Sequence, residues 1–251
     1  MKKFFTAKNL TRGSLFILFI LRFLISFAIL WSGETGIAYW EEVSFLCTTY
    51  FLISLLLWVN KSNLNETGVD KNFIVLFIVL GAIYSFLTPS KLGILLGVAT
   101  ILNIGTFFSS KSQYARNELG NKGFIMFLFI LLALDFIYFI VIQKARLFMN
   151  DTTIIDAVFW TNLPFIVVEE FLFRGLLWKL LQDFELSENK IIFIQAFLFW
   201  LCHFYLNPIV FWIFLPLISI MLGYLRLRSK SITPGIFLHF LHNFFSFILR
   251  Y

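Results

Sequence analysis

The sequence predicts an all-α fold, a polytopic transmembrane helix bundle of eight or nine membrane segments, on three observations. Of its 251 residues 60% are hydrophobic and only 14% charged, more apolar surface than a water-soluble domain of this length can hide. Apolar runs long enough to cross a hydrocarbon core of about 30 Å recur along the whole chain. The basic residues between those runs alternate in number from one side to the other, as they do around membrane helices.

The first run, 14–31, follows Met1, Lys2 and Lys3 and is flanked by Lys8 and Arg12, much like a secretory signal. It is too long for one and has no small-residue cleavage site, so it reads as an anchor that stays. The runs 43–59, 73–88, 92–108, 124–142, 157–181, 191–206, 209–225 and 232–249 follow. Only Pro89, Ser90 and Lys91 separate 73–88 from 92–108, and only Asn207 and Pro208 separate 191–206 from 209–225. Turns this tight leave room for one re-entrant segment, hence eight or nine crossings. Loops on the side of the N-terminus carry fourteen Lys and Arg, from Lys2 to Lys230, against Lys91, Lys144, Arg146 and Arg250 on the other. That asymmetry places the N-terminus in the cytoplasm, with Ser229 reachable from there and Asp151 from the opposite face. The net charge of +6 then reflects topology, and no nucleic-acid partner is expected. Composition and compact size suggest a bacterial inner-membrane protein, multi-pass, with the lipid bilayer as its surroundings.

The polar loops are too short to fold alone, so residues 1–251 form a single membrane-embedded domain. The loop 109–123 divides it into N-terminal helices without motifs (13–123) and a C-terminal part, 155–247, that carries the chemistry. Cys47 and Cys202 each lie inside an apolar run and serve as small packing residues rather than a disulfide framework.

A charge at the centre of a membrane helix costs about 2.5–3.5 kcal/mol, so such residues face a partner, a cavity or a site. The candidates are Arg22, Asp135, Glu169, Glu170, Arg174, His203, His239 and His242. Arg22 and Asp135 fit a structural pair near mid-membrane. At about 1.5 Å of rise per residue, Glu169 and His203 lie about 18 Å deep, Asn243 about 16 Å and His239 about 10 Å. Four polar groups from three helices thus share one slab. Glu170 and Arg174, four apart, can pair on one helix face, while Glu169 points about 100° away. His239 and Asn243 are also four apart. His242 lies off their axis and reads as a packed or interfacial residue.

In 169-EEFLFR-174 the spacing is E-E-x-x-x-R, in 199-FWLCH-203 F-x-x-x-H, and in 239-HFLHN-243 H-x-x-x-N. In this order, each on its own segment, the three motifs resemble the CPBP family of CAAX proteases and bacteriocin-processing enzymes, also called the Abi family. The stretch 223-GYLRLRSKSITPGIFLH-239 is similar to the short basic loop that precedes the family's last motif. The resemblance implies a helix bundle whose cavity opens to the cytoplasmic side, and an intramembrane glutamate peptidase, like the CAAX prenyl proteases, acting on a membrane-associated protein or peptide precursor. Glu169 would be the general base, His203 would bind and activate water, and His239 with Asn243 would stabilise the oxyanion. Glu170 and Arg174 would support them. Preorganised donors in a dry cavity stabilise developing charge strongly, which suits these residue types independently of the family.

The mechanism read here needs no cofactor. If zinc is present, Glu169, His203 and His239 would be its ligands, as a His/His/carboxylate site of the hydrolytic kind. Two further classes use the same residues differently. A non-catalytic scaffold or bacteriocin self-immunity protein of the same fold would bind a peptide in the cavity, and a transporter would use the buried charges as an ion path.

Overall fold

The computed structural model describes residues 35–59, 61, 64–87, 90–110, 114–116, 118–137, 162–203 and 210–248. Every regular element among them is helical, in eight rods. They are α1 (Thr35–Val59), α2 (Lys71–Leu87), α3 (Ser90–Ser109), α4 (Asn121–Phe136), α5 (Leu163–Glu170) continuing through a π-helical stretch (Phe171–Leu177) into α6 (Trp178–Asp183), α7 (Glu188–Leu201), a π-helical turn (Val210–Phe214) leading into α8 (Leu215–Ser229), and α9 (Thr233–Ile248). Segments this apolar satisfy their backbone polar groups internally, and a helix does so along its whole interior. Pro164 and Pro216 sit in the first turns of α5 and α8, where no intrahelical N–H is lost. Lys230 ends α8 in the left-handed region at φ 57° and returns its N–H to Arg226 O at 3.0 Å.

Two helical stretches, Leu92–Ser109 and Trp212–Ser229, are long and apolar enough to cross a membrane. Run 14–31 with Arg22, and loop 143–156 with Asp151, lie outside the described residues. Two element ends differ from the hydropathy reading. Helix α8 runs on to Ser229, so Arg226 and Arg228 are helical rather than in a loop. Helix α7 stops at Leu201, and the chain tightens into a turn in which His203 N–H bonds Trp200 O at 3.0 Å. Such i→i+3 tightening is common where a helix ends.

Helices α1, α2 and α3 pack as one group. Tyr50 stacks on Phe77 with ring centroids 4.0 Å apart and donates to Phe77 O, and Asn103 Nδ2 donates to Ser54 Oγ at 2.9 Å. Phe73 continues this aromatic stack to Phe171, 5.5 Å away at the start of the π-helical stretch. In the C-terminal part α5 and α6 lie among α7, α8 and α9. Helix α4 closes the other side through Phe127 and Leu131 against Phe214, Ile218, Leu222 and Leu238. Cys47 and Cys202 are buried, and neither is in a disulfide among the described residues.

At one end of the bundle three loops interlock. Ala115 N–H bonds Val69 O at 2.9 Å, Glu118 N–H bonds Ser229 O at 2.8 Å, and Ile232 N–H bonds Gly68 O at 3.0 Å. Gly68 turns the chain at φ 73°, directly against the Arg226 guanidinium, a place with no room for a side chain. Asp70 is the centre of this end. Its Oδ1 caps α2 by accepting Phe73 N–H at 2.8 Å and also accepts Thr233 Oγ1 at 2.6 Å, while Oδ2 accepts Ser231 Oγ at 2.5 Å. Ser229 is wholly buried here, with its Oγ on Ser231 O at 2.6 Å, so the exposed position of this loop is Lys230.

Replacing Asp70 by Ala removes a helix cap, about 1 kcal/mol, and leaves the hydroxyls of buried Ser231 and half-buried Thr233 without their acceptor, about 1–3 kcal/mol more. Thermal unfolding in detergent should therefore start at clearly lower temperature for Asp70→Ala, and less so for Asp70→Asn, which can still cap. Equal melting of all three proteins would show that the interlock contributes nothing.

Candidate active site

The site forms where the end of α5, the end of α7 and the middle of α9 meet. Glu169 and Glu170 are the last two residues of α5, immediately before the backbone widens into its π-helical stretch, a local geometry that recurs at functional sites. Neighbouring helical positions diverge by about 100°, and the two carboxylates accordingly meet different partners. Glu169 Oε1 stands 3.6 Å from His203 Nε2. Glu170 Oε1 accepts from Arg174 Nη1 and from His239 Nδ1, each at 2.9 Å.

His203 is oriented by the helix end it closes. The last carbonyls of a helix lack an intrahelical partner, and His203 Nδ1 takes one of them, Phe199 O, at 2.7 Å. A carbonyl accepts only, so the Nδ1 proton is fixed there and Nε2 is the nitrogen presented to Glu169. The Phe199 ring lies among the charged groups: 4.5 Å from the His203 ring, 5.8 Å and edge-on to His239, with the Arg174 guanidinium 4.5 Å over its face. Both ends of F-x-x-x-H are thereby explained by contacts rather than by hydropathy.

Arg174 donates from Nη2 to Ser219 Oγ at 3.1 Å and to Ser219 O at 3.3 Å, tying α8 to the same cluster. Its own carbonyl accepts Arg226 Nε at 3.0 Å. Gly235 permits the first turn of α9 to pass this cluster, since a Cβ there would stand 3.0 Å from Glu170 Oε2. Asn243 Nδ2 makes a long contact of 3.5 Å with Asn162 Oδ1 at the head of α5. Exposure separates the residues: Glu170 and Arg174 are 0% exposed, whereas Glu169, His203 and His239 keep 6–7%. The first two are inside the protein, and the other three reach an accessible surface.

Several of these partnerships depart from the sequence reading. His239 is joined to Glu170, which hydropathy and spacing had paired with Arg174 alone. Asp135 accepts from His242, Oδ1 to Nδ1 at 2.6 Å, so the packed or interfacial residue expected at 242 is hydrogen-bonded to a buried carboxylate; the expected partner Arg22 lies outside the described residues. Ser219, Asn162 and Gly235 had no signal in a single sequence, because each acts through a contact between segments far apart in the chain. Among the described residues, no group of three or more His, Cys, Asp or Glu side chains stands close enough to share a metal ion. Glu169 and His203 do not gather His239 to them, because its Nδ1 is on Glu170.

No curated protein and no solved structure matches the chain. Residues 152–245 match the family model described as type II CAAX prenyl endopeptidase, Rce1-like. That stretch contains all three motifs together with Glu169, Glu170, Arg174, His203, His239 and Asn243, though not Asp135, and over it the chain is similar to the Rce1-like family.

Proposed function

We propose that the chain is an intramembrane endopeptidase that hydrolyses a peptide bond of a membrane-associated protein or peptide precursor, with Glu169 as its general base. The observation that carries this reading is the facing pair of Glu169 Oε1 and His203 Nε2 at 3.6 Å. That separation is too long for a direct hydrogen bond and suits two groups that share one water molecule. Glu169 takes a proton from that water as its oxygen attacks the scissile carbonyl, and returns it to the amine as the C–N bond breaks. His239 and Asn243 donate to the oxyanion. With Nδ1 on Glu170, His239 donates from Nε2 only as the imidazolium, and the Glu170 carboxylate at 2.9 Å balances that charge. Glu170 and Arg174 are then the support, and no step needs a metal. A non-catalytic scaffold would have no use for an oriented His203, and a transporter has no support in the family match.

The membrane arrangement follows the same reading. The helices cross the membrane several times, with the interlocked loops in the cytoplasm, on the same side as the N-terminus. A cysteine replacing Lys230 should then react with an impermeant maleimide in inside-out vesicles but not in intact cells; labelling of intact cells would reverse the orientation.

Purified protein in lipid should cleave quenched fluorescent peptides, and comparing peptides with and without a prenylated cysteine would define the substrate class. Glu169→Gln should stay folded and lose at least about 100-fold in kcat, the lower range for general-base catalysis. Glu170→Gln leaves Arg174 buried without its counter-charge, a break that costs about 3–5 kcal/mol, so a lower melting temperature should accompany its loss of activity. Adding Arg174→Met should recover stability without restoring activity, because His239 still lacks its carboxylate. An inactive but fully stable Glu170→Gln beside an active Glu169→Gln would reverse the two roles.

Exhaustive chelation should leave activity intact, with far less than one zinc per chain by elemental analysis. Zinc present in equal amount, lost with activity and restored by zinc alone, would turn Glu169, His203 and His239 into ligands.

A further inference from the structure

Asp135 lies outside the segment that matches the family, yet it reaches the helix that carries His239 and Asn243. Its side chain is 4% exposed, and its Oδ1 accepts from His242 Nδ1 at 2.6 Å, from α4 to α9. We propose that Asp135, acting through His242, is a positioning residue that fixes the rotation of α9 about its axis and so aims His239 and Asn243 at the substrate carbonyl. This deepens the proposed function and rests on it.

Three polar residues of α9 lie within little more than one turn, and each has a partner on another segment. His239 has Glu170 at the end of α5, Asn243 has Asn162 at its head, and His242 has Asp135 on α4. At 3.6 residues per turn, His242 points about 60° to one side of His239 and Asn243 about 40° to the other. The contact to Asp135 therefore opposes the two contacts to α5, and the helix cannot turn toward either side without breaking one. The margin is small: rotating α9 by about 10° carries a side-chain tip about 6 Å from the axis through about 1 Å. Misplacement by about 1 Å can cost about 100-fold in rate.

Stability alone does not account for the pair. Asp135 Oδ2 is buried and has no hydrogen-bond partner among the described residues, so they satisfy only half of the carboxylate. Replacing such a pair by apolar residues is often neutral or stabilising, and a pair of this kind is well suited to specifying one arrangement. The apolar contacts around it, Phe127 and Leu131 of α4 against Leu238 of α9, hold the helices together but are compatible with a range of rotations.

The test uses the full chain with Asp135→Leu, His242→Leu, the double variant, and the exchanged pair Asp135→His with His242→Asp. Each single change should lower kcat about 10- to 100-fold with KM nearly unchanged, and the double variant should be no worse than either single. The double variant should melt no lower than the native chain, and the exchanged pair should recover part of kcat. Unchanged kcat, multiplying losses in the double variant, or losses that simply follow the folded fraction would overturn the proposal. Glu169→Gln serves as the control for the reaction. If the native chain shows no peptidase activity dependent on Glu169, the proposed function fails, and a second measurement still decides the positioning. With Cys47 and Cys202 replaced by Ala, cysteines at positions 162 and 243 should be joined readily by a short thiol cross-linker, and Asp135→Leu should reduce the yield severalfold. An unchanged yield would show that Asp135 does not set the rotation of α9.

Discussion

Everything at the site depends on one carboxylate oxygen shared by two donors. Glu170 Oε1 receives Arg174 Nη1 and His239 Nδ1, both at 2.9 Å, in a place with no exposure to solvent. Removing these charges from water is costly, and the geometry offsets the cost only in part: Glu170 Oε2 and Arg174 Nε have no hydrogen-bond partner among the described residues. A well-packed apolar cluster could hold three helices together at less cost. What the polar cluster adds is directional contact: Glu170 joins α5 to α9 directly and to α8 through Arg174 and Ser219. With that carboxylate turned inward, its neighbour Glu169 is turned toward His203.

Two adjacent carboxylates are thus separated by what surrounds them. Glu170 is enclosed and paired with Arg174, while Glu169 keeps some exposure and faces an imidazole whose proton is anchored on Phe199 O. The Phe199 ring packs against both histidines and the guanidinium and fills the space between them. Dry surroundings strengthen every dipole aimed at reacting atoms, which fits the hydrolysis proposed for this site. The match to the Rce1-like family covers this region alone. The α1–α3 group meets it through Phe73 on Phe171 and through Asp70 on the loop that leads into α9.

Hydropathy made the helices legible because the solvent acts on every residue of a run at once. Helical spacing made the Glu170–Arg174 pair legible because both partners lie on the same helix, four residues apart. The rest depended on contacts between distant segments. Asp135 and His242 are far apart in sequence, and nothing in either run says which residue the other faces. Asp70 stood in a polar loop and looked solvated, yet it is buried because three loops fold over one another. The π-helical stretch after Glu170 carries no composition signal, since Phe171 to Leu177 would suit an ordinary helix equally well. The tightened end of α7 escaped notice because apolar residues continue past it, and only the backbone shows that His203 lies beyond the last helical turn.

Comparing peptide termini in membranes of cells carrying the native chain or Glu169→Gln at equal abundance tests the assignment of Glu169 most directly. A peptidase that uses this carboxylate predicts a small set of new termini, at or near the membrane, present with the native chain and missing with the variant. Identical termini in both samples, with both proteins folded and in the membrane, would contradict it.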